Sequence, residues 1–285
     1  MRDHPAMTGK TSRTEMTGLA RALIRAVHAA GSVQLAVLRG GFKVRAKADA
    51  SPVTEADTAA ENIILEDLHK IAPDIPIIAE EAASRGEMPT ICRRFFLVDP
   101  LDGTREFIRE GTDFTVNIAL VEDGAPVFGI ILAPARKELW LTAAADLALH
   151  AVFDPDAPLP GWEDIPFAPI TTAPAPADGL RAVASRSHMT AQTEDFLKEL
   201  PVKSLLSAGS SLKFCLLAQG LADVYPRFGP TMEWDTAAGD AILRAAGGIT
   251  LTTGGEPLIY GKAPQGYRNP SFIAWARPPA GGEKG

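Results

Sequence analysis

Between Phe95 and Thr142 the chain is rich in strand signals. The apolar runs FFLV (95–98), FTVNIALV (114–121), PVFGIIL (126–132) and ELWLT (138–142) follow one another, and Asp123-Gly124 forms a hairpin turn between the second and third. Strands joined this closely predict an antiparallel sheet, and one this apolar needs helices against it. Two candidates precede it. Leu19, Leu23, Val27 and Ala30 step at the helical period up to a stop at Gly40-Gly41. Ala60, Ile64, Leu68 and Ile71 define a second amphipathic helix, opened by a capping-box-like Thr54-x-x-Asp57 and ended by Pro73.

Past the sheet, prolines crowd the stretch from Asp154 to Gly179 and impose neither period, so we read it as an irregular connector and a domain boundary. Beyond it the strands RAVAS, KSLL, ADVYP, GITLTT and SFIAWA alternate with helical stretches near 190–199, 210–219 and 235–246. That alternation predicts a second layered α/β unit. The expected division is an N-terminal α+β metal-binding domain over 1–153, the connector over 154–179, and a C-terminal α/β domain over 180–285 that sets specificity. The first fifteen residues, MRDHPAMTGKTSRTE, read as a disordered tail, and the Gly/Pro-rich end after Trp275 as frayed.

At 285 residues and 46% hydrophobic the chain can bury a full core. A net charge of −7 and a pI near 5.3 leave no basic footprint for a polynucleotide, so an anionic substrate needs metal ions or a local cationic pocket. No run reaches the ~18 apolar residues of a membrane span, and the start lacks a signal-peptide core. A cytoplasmic protein is the expectation. Cys92 and Cys215 lie far apart without metal-ligand spacing and read as two buried thiols.

The chemistry concentrates in carboxylates. Asp99-Pro-Leu-Asp-Gly-Thr104 follows the strand FFLV, where Pro100 and Gly103 enforce a turn that can aim Asp99 and Asp102 at one point. Glu80-Glu81 ends the short run PIIA, and Asp235 opens the helix after Trp234. Four converging carboxylates repel one another unless cations neutralise them, and hard oxygen ligands select Mg²⁺. Paired metals about 3.5–4 Å apart can clamp a phosphate and stabilise the leaving oxygen of an in-line displacement. Plainer readings stay open for each residue alone. Asp99 and Asp102 could be turn formers, Asp235 an N-cap, Asp57 the third residue of a capping box, and Glu80-Glu81 a solvated pair.

Taken in order, SPVTEAD, EE, DPLDGT and WDTAAGDAILRAAGG resemble the lithium-sensitive, Mg²⁺-dependent inositol monophosphatase superfamily. Within it, DPLDGTREFI, FTVNIAL, SRSH, GSSLKFCLLAQG and YPRFGPTMEWDTAAGDA resemble the bacterial 3′(2′),5′-bisphosphate nucleotidases, over residues 18 to 275. The resemblance implies an α+β fold, the layered α-β-α-β-α sandwich of the inositol monophosphatase and fructose bisphosphatase type. It implies two or three Mg²⁺ ions held by Glu80, Asp99, Asp102, Asp235 and the Leu101 carbonyl. Thr104 and Asp57 correspond to the pair that activates the attacking water, and the Gly103 and Thr104 amides to a phosphate cradle.

For the substrate, Ser185 and His188 of SRSH, with Ser210, Ser211 and Lys213 of GSSLK, resemble the segments that hold the nucleotide, with Arg227 and Asp235 as further contacts. Lys213 and Arg227 offer cations for a 5′-phosphate that metals engaged on the 3′-phosphate cannot reach. The alternatives are a helix cap for Ser210 and Ser211, a solvated Lys213, and a loop-bonding His188. The implied reaction is hydrolysis of adenosine 3′,5′-bisphosphate to AMP and phosphate, with 3′-phosphoadenylyl sulfate as a second substrate and a place in sulfur assimilation. Hydrolysis of inositol monophosphate and a non-catalytic regulatory role are the competing functions. A homodimer and attachment to the cytoplasmic face of the inner membrane are left open.

Overall fold

The computed structural model describes residues 11–47, 51–185 and 189–277. In chain order the elements are α1 (Arg13–Gly40), β1 (Arg45–Ala46), β2 (Pro52–Val53), α2 (Glu55–Ile71), β3 (Ile77–Ala79), α3 (Glu80–Ser84), β4 (Arg94–Asp102) and α4 (Thr104–Ile108). The antiparallel strands β5 (Thr115–Glu122), β6 (Ala125–Ala133), β7 (Glu138–Ala144), β8 (Leu147–Val152) and β9 (Ala168–Ile170) follow. The last part holds β10 (Leu180–Ser185), α5 (Ala191–Lys198), β11 (Val202–Ala208), α6 (Leu212–Ala218), β12 (Val224–Arg227), α7 (Ala237–Ala245), β13 (Ile249–Thr252) and β14 (Phe272–Trp275).

The first sheet runs in order β3 to β9, with β3 and β4 parallel and every other pair antiparallel. Its apolar runs alternate between two buried faces, as the period of a strand requires. Phe96, Val98, Ile118 and Leu120 pack against Leu23 and Val27 of α1 and Ile64 and Leu68 of α2. Phe95, Leu97, Val121 and Ile131 face the other way, onto Leu217 of α6 and Ile242 and Leu243 of α7. Those two helices also rest on Val183, Tyr225 and Phe272 of the second sheet, ordered β11-β10-β12-β14-β13. The far face of that sheet, Ala182, Val224 and Trp275, is covered by Phe196 and Leu197 of α5. The layers are therefore helix, sheet, helix, sheet, helix, and the central helices bind the two halves into one core. Their approach is close: a Cβ at Gly129 of β6 would lie 2.3 Å from the Ala238 carbonyl of α7.

Local chemistry explains the boundaries. Asp123 and Gly124 both take positive φ (49° and 78°), which turns β5 into β6 as the Asp-Gly pair predicts. Four sequence expectations change. The first helix begins at Arg13, inside the stretch read as a tail, because the Ser12 side chain caps the Glu15 N–H. The Pro-rich connector supplies β9, and Pro169 is tolerated there because β9 is an edge strand. Cys92 is exposed, although Cys215 is buried. Asp235 lies outside α7, whose N-cap is Thr236. Among the described residues no helix is long and apolar enough to cross a membrane.

Candidate functional site

The acidic loop is built by an irregularity in β4. Asp99 pairs with Asn117 and Asp102 with Thr115, so three steps along β4 match two along β5. In a regular strand residues three apart point to opposite faces, and the one extra residue returns both aspartates to the same face. The strand thus continues through Pro100, where a turn was expected, because a bulge frees the position from the ladder. The chain turns only at Gly103, whose φ of 91° leads into α4. Three contacts fix the bulge. The Asp99 Oδ1 accepts the Leu101 N–H at 3.0 Å, and the buried Gln34 of α1 donates through Nε2 to the Pro100 carbonyl at 2.6 Å. The Leu101 side chain is buried with Leu35, Ala56, Phe107 and Phe114.

Glu80, at the end of β3, and Asp235, just before α7, complete the acidic wall. One carboxylate oxygen each from Glu80, Asp99 and Asp235 lies within 4.8 Å of the others. Burial, followed by the charges of Glu80, Asp102 and Asp235, pushes the Asp99 carboxyl well above the usual range. Burial does the same to Asp235, aided by Asp102 and Glu80. Asp102 is raised less, because Lys213 and the Ser210 hydroxyl oppose the effect of burial. Carboxylates this crowded and desolvated fit a hard divalent cation, which would relieve the repulsion that raises them. In the protein alone Lys47 takes part of that role. Its Nζ lies 2.6 Å from Glu80 Oε1 and 2.6 Å from Glu81 Oε1. Burial works against its charge, but the two carboxylates outweigh it and raise its affinity for a proton.

Asp57 serves two partners with two oxygens. Oδ2 accepts the Thr54 N–H at 2.8 Å and the Thr54 hydroxyl at 2.7 Å, completing the capping box of α2. Oδ1 faces the Thr104 hydroxyl at 3.2 Å, and the same hydroxyl lies 3.3 Å from the Leu101 carbonyl. Burial raises the Asp57 carboxyl above its ordinary range, against the bonds from Thr54.

The opposite wall comes from the second half. Glu80, Asp99, Leu101, Asp102, Gly103, Thr104, Ser185, Ser210, Ser211, Lys213, Arg227 and Asp235 all line one cavity of about 270 Å³. Asp57 stands behind Thr104, and His188 falls outside the described residues. Ser210 adopts a left-handed φ of 53° and donates through Oγ to Asp102 Oδ2 at 2.7 Å. Ser211 gives α6 no side-chain cap and donates instead to Asn117 Oδ1 at 2.8 Å. Lys213 is only 4% exposed and donates to the Ser210 carbonyl. Burial lowers its pKa to about 8, with Asp102 opposing the shift and Arg227 adding to it. Lys213 and Arg227 are thus two cations that feel one another on the same wall.

Residues 15–275 match the sequence model described as the inositol monophosphatase family. The chain belongs to that family. Among curated members, the 3′(2′),5′-bisphosphate nucleotidase CysQ of Shigella flexneri is 41% identical over 237 residues, covering 80% of this chain and 87% of that one. The protein of the same name from Escherichia coli K12 is 40% identical over 229 residues, covering 80% and 87%. The crystal structure of CysQ from Bacteroides thetaiotaomicron, a bacterial member of the family, superposes with a TM-score of 0.76 at 39% identity. It covers 92% of this chain and 98% of that one. An inositol monophosphatase from Thermotoga maritima, at 22% identity and a TM-score of 0.70, shares the fold.

In this family member several residues that build the site carry little local signal. Gln34 sits in an otherwise ordinary amphipathic helix, and its one hint is a polar side chain on the buried stripe. Lys47 directly follows β1 and meets Glu80 only through folding. Thr115 and Asn117 look like strand residues, yet they form the hydroxyl and amide floor beneath Ser210 and Ser211. Polar side chains at alternate positions of an otherwise apolar strand were the available clue.

Proposed function

We propose that this protein is a Mg²⁺-dependent phosphomonoesterase that removes the 3′-phosphate of adenosine 3′,5′-bisphosphate, leaving AMP and phosphate. The observation that carries the reading is the polarity of one cavity: Glu80, Asp99, Asp102 and Asp235 gather on one wall, and Lys213 with Arg227 on the other, with Arg105 and Glu106 also in the lining. A substrate with two separated anions makes use of both. The names of the CysQ relatives agree with it. The sulfated nucleotide 3′-phosphoadenylyl sulfate meets the same requirement, and both substrates belong to sulfur assimilation.

Glu80, Asp99, Asp102, Asp235 and the Leu101 carbonyl would hold the metal, as two or three ions. When bound, Mg²⁺ supplies Lewis-acid charge for the phosphoryl oxygens and the leaving oxygen. The chain's own residues do the rest. Thr104 Oγ accepts the proton of the attacking water while passing its own to Asp57 Oδ1. The raised affinity of the buried Asp57 carboxyl favours that direction. Thr54 holds Asp57 by its other oxygen, so the acceptor atom keeps its aim. The Gly103 and Thr104 amides, at a turn only glycine adopts freely, cradle the phosphate. Ser185, Ser210, Ser211 and His188 contact the nucleotide, and Lys213 and Arg227 hold the 5′-phosphate.

The test is phosphate release from adenosine 3′,5′-bisphosphate, adenosine 3′-monophosphate and inositol 1-phosphate under the same Mg²⁺ concentration. The expected order places the bisphosphate first by at least roughly tenfold in kcat/KM, the scale of one charge-assisted contact. Inositol phosphate turned over as well as the bisphosphate would sink the reading.

A further inference from the structure

The loop carrying Asp102 and Thr104 and the loop carrying Ser210 and Lys213 come from opposite halves of the chain. Their separation sets which substrates engage both walls. Asp113, in neither loop, lies between them. A Cβ built at Gly103 would stand 2.8 Å from the Asp113 carbonyl oxygen, and one at Gly209 would also stand 2.8 Å from it. One carbonyl is therefore wedged against a glycine of each loop, at distances no side chain accommodates. The Asp113 side chain then ties the second loop down. Its Oδ2 accepts the Gly209 N–H at 2.9 Å, and its Oδ1 accepts from Arg136 Nη2 at 2.5 Å and Nε at 3.1 Å. Asp113 is 1% exposed. A buried carboxylate gripped by a planar guanidinium fork has one orientation, and so does the amide bonded to it.

The next residue after that anchored amide is Ser210, held at positive φ with Oγ on Asp102 and its carbonyl under the Lys213 ammonium. Neither Asp113 nor Arg136 lines the cavity. Whatever they do for a substrate, they do through the loops.

We propose that the Asp113–Arg136 pair is a positioning device that fixes the spacing between the metal-facing loop 99–104 and the anion-facing loop 209–213, making the site selective for two phosphates at one separation. The proposal rests on the two-anion reading above. It is tested by measuring kcat and KM on adenosine 3′,5′-bisphosphate and on adenosine 3′-monophosphate, together with the half-saturating Mg²⁺ concentration. The variants are Asp113→Ala and the double variant Asp113→Ala/Arg136→Met. The double variant removes both charges together, so that neither partner is left unpaired, and its melting temperature beside wild type checks that it folds. The expected result for both is a rise in KM for the bisphosphate of about tenfold, the loss expected when one charge-assisted contact is misplaced. Values of kcat, the monophosphate KM and Mg²⁺ half-saturation should stay within about threefold, a change below what one such contact contributes.

Equal losses on both substrates, Mg²⁺ half-saturation rising in step, or an unchanged bisphosphate KM would each overturn the device while leaving the two-anion reading intact. A wild-type enzyme with no preference for the bisphosphate would overturn both.

Discussion

Replacing Lys213 by Met keeps the apolar stem and deletes the ammonium, which lies 5.3 Å from the centre of the Tyr225 ring. The pKa near 8 leaves the group mostly protonated at neutral pH, so the charge is there to be lost. A charge-assisted hydrogen bond contributes about 1.5–3 kcal/mol, which converts to a roughly 10- to 100-fold fall in kcat/KM on the 3′,5′-bisphosphate. The ammonium also donates to the Ser210 carbonyl, and any loss from that bond that is not specific to the 5′-phosphate registers on both substrates. The 3′-monophosphate measures this shared part, so the difference between the two substrates isolates the 5′-phosphate contact. An independent sign comes from pH. A lysine is charged below its pKa, and kcat/KM reports the free enzyme. The wild-type preference for the bisphosphate should therefore decline as pH rises through about 8, and the Met variant should show no such decline. Comparable losses on both substrates, with a preference flat in pH, would mean that Lys213 does not read the 5′-phosphate.

Asp99→Asn should cut turnover by orders of magnitude while the metal-free protein melts no lower, since it removes one of the crowded buried carboxylates. Calorimetry should show a smaller stabilisation by Mg²⁺ than the ~2.7 kcal/mol expected at a hundredfold excess over Kd; turnover within about threefold of wild type counts against the assignment. Thr104→Ala should lower turnover by roughly 10²–10⁴-fold with Mg²⁺ affinity unchanged, and a titration showing the metal lost would make Thr104 a ligand support and not a relay. Gln34→Leu strands the Pro100 carbonyl in the core and should cost about 1–3 kcal/mol in denaturant unfolding. An unchanged midpoint would show that the bulge does not depend on α1.

Much of this was legible from local rules because local rules built it. The strand runs, the Asp123-Gly124 turn, the Thr54–Asp57 box and both amphipathic helices follow from periodicity and capping. What escaped reading depends on distance in sequence or on register. A single extra residue between Asp99 and Asp102 decides which face they share, and nothing in DPLDGT announces a bulge over a turn. Ser12-x-x-Glu15 was a readable cap that the polar composition around it obscured. Lys47 on Glu80, Gln34 on Pro100 and Asp113 on Gly209 join residues 33, 66 and 96 positions apart, beyond the reach of any pattern. The turn at Asp99 does not show which other carboxylates stand beside it; the fold brings one oxygen each of Glu80, Asp99 and Asp235 within 4.8 Å of one another. Asp57 has two hydrogen-bond partners at once, one oxygen completing the cap and the other accepting from Thr104.

The central claim is that the acidic wall faces the 3′-phosphate while Lys213 and Arg227 hold the 5′-phosphate. Which phosphate leaves decides it. Adenosine 3′,5′-bisphosphate incubated with the enzyme and Mg²⁺, with products separated and followed by phosphorus NMR, should yield adenosine 5′-monophosphate and inorganic phosphate, and nothing when the metal is chelated. Accumulation of adenosine 3′-monophosphate, or phosphate release that persists in the chelator, would contradict the account.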